Sequence, residues 1–317
     1  MAKLAVVFPG QGSQYVGMGM DFYQEYSTAR VIFDAADDIL GYPLSKLMFE
    51  GPEDELRLTR HTQPAILTNS IAIWNVIKEK ITISPAYMAG HSLGEYSALT
   101  AAGGISFEDA LELVKNRGQF MEEAVAKGEG TMAAIMGIGR NELETICYQV
   151  TNDGYSVQLA NMNTPNQIVI SGTVKGVEFA SKLAKEGGAR RVIPLSVSGP
   201  FHSRLMQPAK ERLRPLVDQT LINKITIPLV MNVNAKPESN PSSIKENLIE
   251  QVVSPVLWTD MVEWMIENGV DTFIEVGPGK VLAGLIKKIN RNVKTFSIEN
   301  VQSFKSFIEE LEVKGGE

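Results

Sequence analysis

The first recognisable element is a run that is apolar at every position, Leu4-Ala5-Val6-Val7-Phe8, stopped by Pro9-Gly10. Such a run predicts a strand covered on both faces, the habit of parallel sheets. Residues 9–19 are polar and glycine-rich, a loop. Helical periodicity follows over 20–40, and a second, strongly apolar helix over 63–80 has Pro64 suited to its first turn. A short buried strand over 86–90 leads into a helix of small residues over 93–102. Strands that alternate with helices predict an α/β sheet.

The pattern changes near residue 130. Strand 131–138, helix 141–150, strands 157–161 and 167–171 around the turn Asn163-Thr164-Pro165-Asn166, helix 176–186 and strand 191–197 give the order βαββαβ, the ferredoxin-like unit. The first pattern then returns: helix 203–220, strand 227–233, helices 243–251 and 260–268, strand 272–276 and helix 281–289. The expected architecture is α/β. A catalytic domain made of 1–128 and 199–317 carries an inserted ferredoxin-like subdomain at 129–198. There is no internal repeat and no low-complexity tract.

Composition narrows the function classes. The 317 residues carry a formal net charge of -7, which argues against a general nucleic-acid binder. With one cysteine, Cys147, no intramolecular disulfide can form, so a reducing compartment fits. Cys147 sits in a helical stretch with no histidine pattern beside it, as a small buried hydrophobe does. The apolar run 4–8 is too short for a signal core, and no stretch approaches a membrane span. The expectation is a cytoplasmic protein with no membrane or nucleic-acid partner.

Gly90-His91-Ser92-Leu93-Gly94 matches G-x-S-x-G, with a strand before it and a helix after it, as a nucleophile elbow requires. A serine on so sharp a turn brings backbone close, and side chains at 90 and 94 would clash. The bland alternative is a serine helix cap. A serine nucleophile needs a base, and the chain has three histidines. His91 adjoins the serine, so its side chain is expected to point away; His61 is expected in an exposed loop. His202, between a strand and a helix, is the expected base.

Two glycine loops fail as nucleotide sites. The first would need glycine where Tyr15 stands; the second would need glycine at Ile274 and Ser or Thr at Val281. Either could instead offer backbone N–H groups to an oxyanion. Over 107–125 the apolar stripe is Ala110, Leu111, Val114, Gly118, Met121 and Val125, and Arg117 falls on it. An inward arginine needs a partner. Either a ligand carboxylate, bound by two parallel hydrogen bonds, or a structural salt bridge would serve.

Together, Pro9-Gly10-Gln11-Gly12-Ser13-Gln14, Thr62-Gln63-Pro64-Ala65, Gly90-His91-Ser92-Leu93-Gly94-Glu95, Arg117-Gly118-Gln119, Gly199-Pro200-Phe201-His202-Ser203 and Glu275-Val276-Gly277-Pro278-Gly279 resemble the malonyl-CoA:acyl carrier protein transacylase family, in family order across nearly the whole chain. The resemblance implies an α/β-hydrolase-like core with a ferredoxin-like insert. It implies Ser92 as the acylated nucleophile and His202 as base and acid. The backbone N–H groups of Gln11 and Leu93 would form the oxyanion hole, and Arg117 would hold the malonyl carboxylate. Gln251 would orient His202 through its backbone carbonyl, Gln63 would line the pocket, and Phe201 would be the malonyl-selecting residue.

The implied reaction is double displacement from malonyl-CoA to the phosphopantetheine thiol of an acyl carrier protein, supplying fatty acid biosynthesis. It needs no metal and no cofactor of the enzyme's own, and a monomer is expected. Acidic carrier proteins would dock on local basic groups, Lys182, Lys185, Arg190 and Arg191 or Lys287, Lys288 and Arg291. The alternatives are a discrete acyltransferase of polyketide synthesis, an acyl-CoA thioesterase or esterase, and a non-catalytic carrier-protein-binding module.

Overall fold

A computed structural model of the chain describes residues 3–315. Among these residues ten strands form two sheets. β1 (Leu4–Phe8), β2 (Tyr87–Gly90), β7 (Leu229–Val230), β8 (Pro237–Glu238), β9 (Thr272–Val276) and β10 (Lys294–Ile298) make the larger, in the order β10-β9-β1-β2-β7-β8. All its pairings are parallel except that of β8 with β7. β3 (Gly130–Met136), β4 (Val157–Thr164), β5 (Gln167–Thr173) and β6 (Arg191–Pro194) make the smaller, antiparallel sheet in the order β4-β5-β3-β6. With helices Arg140–Asn152 and Val174–Glu186 this is a ferredoxin-like βαββαβ unit.

The apolar run of β1 has the physical consequence its sequence suggests. Alternate side chains enter opposite layers: Val6 and Phe8 join one core, Ala5 and Val7 the other. Helices cover both faces of the parallel sheet. The smaller sheet also has two apolar faces. Ala133, Ile135, Leu159 and Ile170 pack on its own helices, whereas Met132, Ala134, Ala160 and Val169 join the main core. The loops that follow β1, β2 and β7 all leave at the carboxyl edge of the parallel sheet, where open α/β sheets place ligands.

Several elements differ from the sequence pattern. Tyr26, in extended conformation, splits 20–40 into helices Met20–Glu25 and Ser27–Leu40. Helix Thr59–Lys80 starts earlier than expected, so Pro64 lies inside it, beyond the first turn, and His61 is helical rather than in a loop. His61 contacts the Tyr42 hydroxyl and Glu55, away from Ser92. The turn of the β4–β5 hairpin is two residues, Pro165 and Asn166. Segment 203–220 begins as a 3-10 turn, Arg204–Met206, before helix Gln207–Gln219. Segment 227–233 keeps only two strand residues. Helices Leu44–Glu50, Glu53–Leu56 and Val301–Gly315 and strands β8 and β10 lie outside the elements that the sequence pattern predicts.

Candidate active site

The backbone at the end of β2 turns so tightly that Ser92 takes a left-handed conformation, φ 54°. This region is costly for a residue with a Cβ and is held only by its surroundings. Here those surroundings are two glycines. A Cβ on Gly90 would lie 1.9 Å from the Gly94 carbonyl, and one on Gly94 2.1 Å from the Phe8 oxygen. Helix Gly94–Ala101 starts directly after, so the hydroxyl lies at a helix N-terminus, where partial positive charge favours an anion.

His202 arrives from the loop after β6, also left-handed, φ 56°. Its Nε2 is 2.7 Å from Ser92 Oγ, and its Nδ1 is 2.9 Å from the Gln251 backbone oxygen. A carbonyl only accepts, so Nδ1 carries the proton and Nε2 is free to take one from serine. Burial, and then the Arg117 charge, push the imidazole down to about 3, so it is a neutral base at pH 7. Gln158 on β4 clamps this loop. Its Nε2 donates to the carbonyls of His202 and Val253, 3.3 Å each, and its Oε1 accepts from the Arg204 N–H, 3.0 Å.

Arg117 is 1% exposed. It donates to Gln63 Oε1 at 2.7 Å, Gln251 Oε1 at 2.8 Å and Ser92 Oγ at 3.2 Å, all neutral acceptors. Among the described residues no carboxylate pairs with it, so the structural-salt-bridge alternative has no partner here. A buried cation with no carboxylate in direct contact, beside a nucleophile, is an anion-binding arrangement.

Gln11, Gln63, Ser92, Leu93, Phe201 and His202 line one cleft of about 170 Å³ under Met132 and Val169. Neither the Gln11 nor the Leu93 backbone N–H donates to another described protein group, which leaves both donors available to an oxyanion. A second recess of about 140 Å³ shares Gln11, His91 and Asn163 with the cleft and leads past Val281. His91 lines both, and its Nε2 is held 2.9 Å from Asn163 Oδ1 with no hydrogen bond to Ser92, as a side chain turned away from the serine would be. Other recesses, such as about 290 Å³ between Tyr148 and Arg204, hold no nucleophile and base. Cys147 there is buried, with its thiol pushed up to about 12 by desolvation. No group of three or more His, Cys, Asp or Glu among the described residues is placed to hold a metal.

Sequence reasoning missed Asn232, Glu95 and Gln158. Asn232 Oδ1 accepts from the Ser92 N–H at 2.8 Å, and its Nδ2 donates to the Gly90 carbonyl at 2.7 Å, bracing the elbow from β7. Glu95 is 0% exposed and bonded to Asn232 and Gln251. Glu95 closes the motif Gly90-His91-Ser92-Leu93-Gly94-Glu95, but its partners come from distant segments, which no local pattern encodes.

The chain is similar to known acyltransferases over nearly its whole length. The acyl transferase domain family matches residues 5–305. The malonyl CoA-acyl carrier protein transacylase of Bacillus subtilis (strain 168) is 52% identical over 311 residues, 98% of each chain. The crystal structure of an acyl carrier protein S-malonyltransferase from Vibrio cholerae superposes with a TM-score of 0.94 at 44% identity, covering 96% of this chain and 100% of that one. A malonyl-transacylase solved in complex with its type II PKS acyl-carrier protein superposes at 0.95 and 41% identity, over 98% and 100%.

Proposed function

We propose that this chain, which belongs to the acyl transferase domain family and is an acyltransferase, moves a malonyl group from coenzyme A to the phosphopantetheine thiol of an acyl carrier protein, supplying fatty acid biosynthesis. The observation that carries the choice of acyl group is Arg117: a buried cation, free of carboxylate partners, with Nη2 3.2 Å from the Ser92 oxygen.

The reaction follows from the site. His202 Nε2 takes the Ser92 proton as Oγ bonds to the thioester carbon. The resulting oxyanion accepts from the Gln11 and Leu93 N–H groups. The carbon–sulfur bond then breaks, and the proton on Nε2 goes to the departing coenzyme A sulfur. The carrier thiol enters, gives its proton to His202 and takes the acyl group by the same steps in reverse. Throughout, the Gln251 carbonyl holds the imidazole in one tautomer. Arg117 pairs with the malonyl carboxylate, Gln63 holds Arg117 from the other side, and Phe201 limits the room beside the malonyl methylene.

We assign 129–198 as a subdomain inserted between 1–128 and 199–317. The separate sheet and separate apolar core of this segment support that division. The molecule acts as a cytoplasmic monomer; buried Cys147, the sole cysteine, suits a reducing compartment. Lys182, Lys185, Arg190 and Arg191, with Lys287, Lys288 and Arg291, are exposed and form the basic groups for carrier docking.

The test is transfer itself. The protein is incubated with malonyl-CoA and holo acyl carrier protein, and the carrier is followed by mass. Malonyl-carrier formation supports the reading. Coenzyme A release at the same rate without carrier, and with no carrier product, would mean a thioesterase.

A further inference from the structure

The scheme above gives no task to one ionisable group at the centre of the site. Glu95, in the first turn of helix Gly94–Ala101, is fully buried. Its Oε1 accepts from the Asn232 backbone N–H at 2.7 Å and from Asn232 Nδ2 at 2.9 Å; its Oε2 accepts from Gln251 Nε2 at 2.5 Å. The orientation of both amides is fixed by other partners. Asn232 Oδ1 is committed to the Ser92 N–H and Nδ2 to the Gly90 carbonyl. Gln251 Oε1 is committed to Arg117 and Nε2 to the Ser92 carbonyl, 3.0 Å away. Every group that meets Glu95 is therefore a donor, and only a carboxylate, which solely accepts, satisfies all of them.

The charge has a second role. The Gln251 amide lies head to tail between the Arg117 cation and the Glu95 carboxylate, its oxygen toward one and its nitrogen toward the other. Two buried opposite charges are thus joined through one dipole. Without the anion, Arg117 would be a lone charge in the core.

We propose that Glu95, as a carboxylate, is the positioning residue of this site, fixing Asn232 and Gln251 and through them the Ser92 elbow, the His202 imidazole and the Arg117 guanidinium. It touches no reacting atom. The inference rests on Ser92 being the nucleophile, as in the proposed function, but not on which acyl group is carried.

The geometry has a pH consequence. The ionisable groups around Glu95 are Arg117 from helix Phe107–Glu123, Tyr96 from its own helix and His202 beyond Gln251. Burial raises the Glu95 carboxyl to about 7, against the pull of the Asn232 and Gln251 donors and of Arg117. His202, near 3, stays neutral well below that. Loss of the carboxylate, not protonation of the base, then sets the acid limb of Ser92 reactivity near pH 7. Activity is present above it and falls as the pH drops through it.

The experiment is the rate of Ser92 modification by a fluorophosphonate, which forms an oxygen–phosphorus bond and expels fluoride, and so needs the serine and histidine but no malonyl recognition. It is run from about pH 5.5 to 8.5 on wild type and Glu95→Gln, beside acylation by malonyl-CoA. Glu95→Gln keeps the shape but sets a donor against a donor. The expected result is a fall of about 10- to 100-fold in both rates at the upper pH, mostly in kcat rather than KM, with loss of the limb near pH 7. A folded Glu95→Gln protein with the wild-type rate and profile would overturn the inference. If that variant does not fold, Glu95→Asp decides: it keeps the charge but withdraws the carboxylate from Asn232 and Gln251, so a lowered labelling rate supports the inference and the wild-type rate overturns it. Normal fluorophosphonate labelling without malonylation in wild type would contradict the proposed function, leaving Glu95 to be judged on the labelling rates.

Discussion

Two glutamates lie under the carboxyl edge of the parallel sheet, one on each side of β1. Glu95 follows β2, and Glu275 is the fourth residue of β9. Both are 0% exposed, and burial pushes both up to about 7. They differ in what donates to them. Glu275 accepts from the backbone N–H groups of Leu282 and Ala283, 3.0 and 2.8 Å away, at the start of helix Val281–Ile289. It closes a helix end, and none of those groups meets Ser92, His202 or Arg117. Glu95 accepts from Asn232 and Gln251, whose other atoms hold the nucleophile, the base and the arginine. Burial and a displaced pKa therefore do not by themselves mark a functional acid. The remaining commitments of its partners do.

Substitutions can break that comparison or sharpen it. The largest effect belongs to the base: His202→Ala should lower the rate of Ser92 acylation by about 10²- to 10⁴-fold, measured by single-turnover coenzyme A release. Next, Arg117→Ala should remove most of the preference for malonyl-CoA over acetyl-CoA. The loss is about 3–5 kcal/mol, the scale of a broken buried ion pair, read from the ratio of the two kcat/KM values. Glu95→Gln should follow with its smaller loss of rate and its lost acid limb. Glu275→Gln should leave the acylation rate and pH profile at the wild-type level. Its signature is in stability instead. A carboxyl raised from 4.5 to about 7 on folding binds its proton more tightly in the folded state. Wild type should therefore gain stability relative to Glu275→Gln as the pH falls from 7 toward 4.5, measured by urea unfolding. Equal losses of activity in the two glutamine variants would erase the distinction.

Much of the frame was legible because it is written in local patterns. β9 and helix Val281–Ile289 have the boundaries expected, the first being a short β-branched and aromatic run stopped by Gly277-Pro278 and the second an apolar segment that ends on Lys287 and Lys288. The nucleophile elbow was legible because its glycines are a steric necessity, and the stripe over 107–125 placed Arg117 inside. The failures have physical reasons too. β10, Lys294–Ile298, is a half-exposed edge strand whose composition gives little alternation. Segment 227–233 looks like a long strand, but after Val230 it turns to deliver Asn232 to Glu95, and Ala235 takes a left-handed φ of 53°. Asn232, Gln158 and Glu95 act through partners separated by tens of residues or more in sequence, and no spacing rule encodes that contact.

The central claim is that Ser92 carries the malonyl group and that Arg117 selects it. Intact mass after incubation with malonyl-CoA or, separately, acetyl-CoA tests it most directly, with Ser92→Ala as control. The account predicts a malonyl adduct on the wild-type protein, little or no acetyl adduct, and neither on Ser92→Ala. A malonyl adduct that persists on Ser92→Ala, or an acetyl adduct formed as readily as the malonyl one, would contradict it.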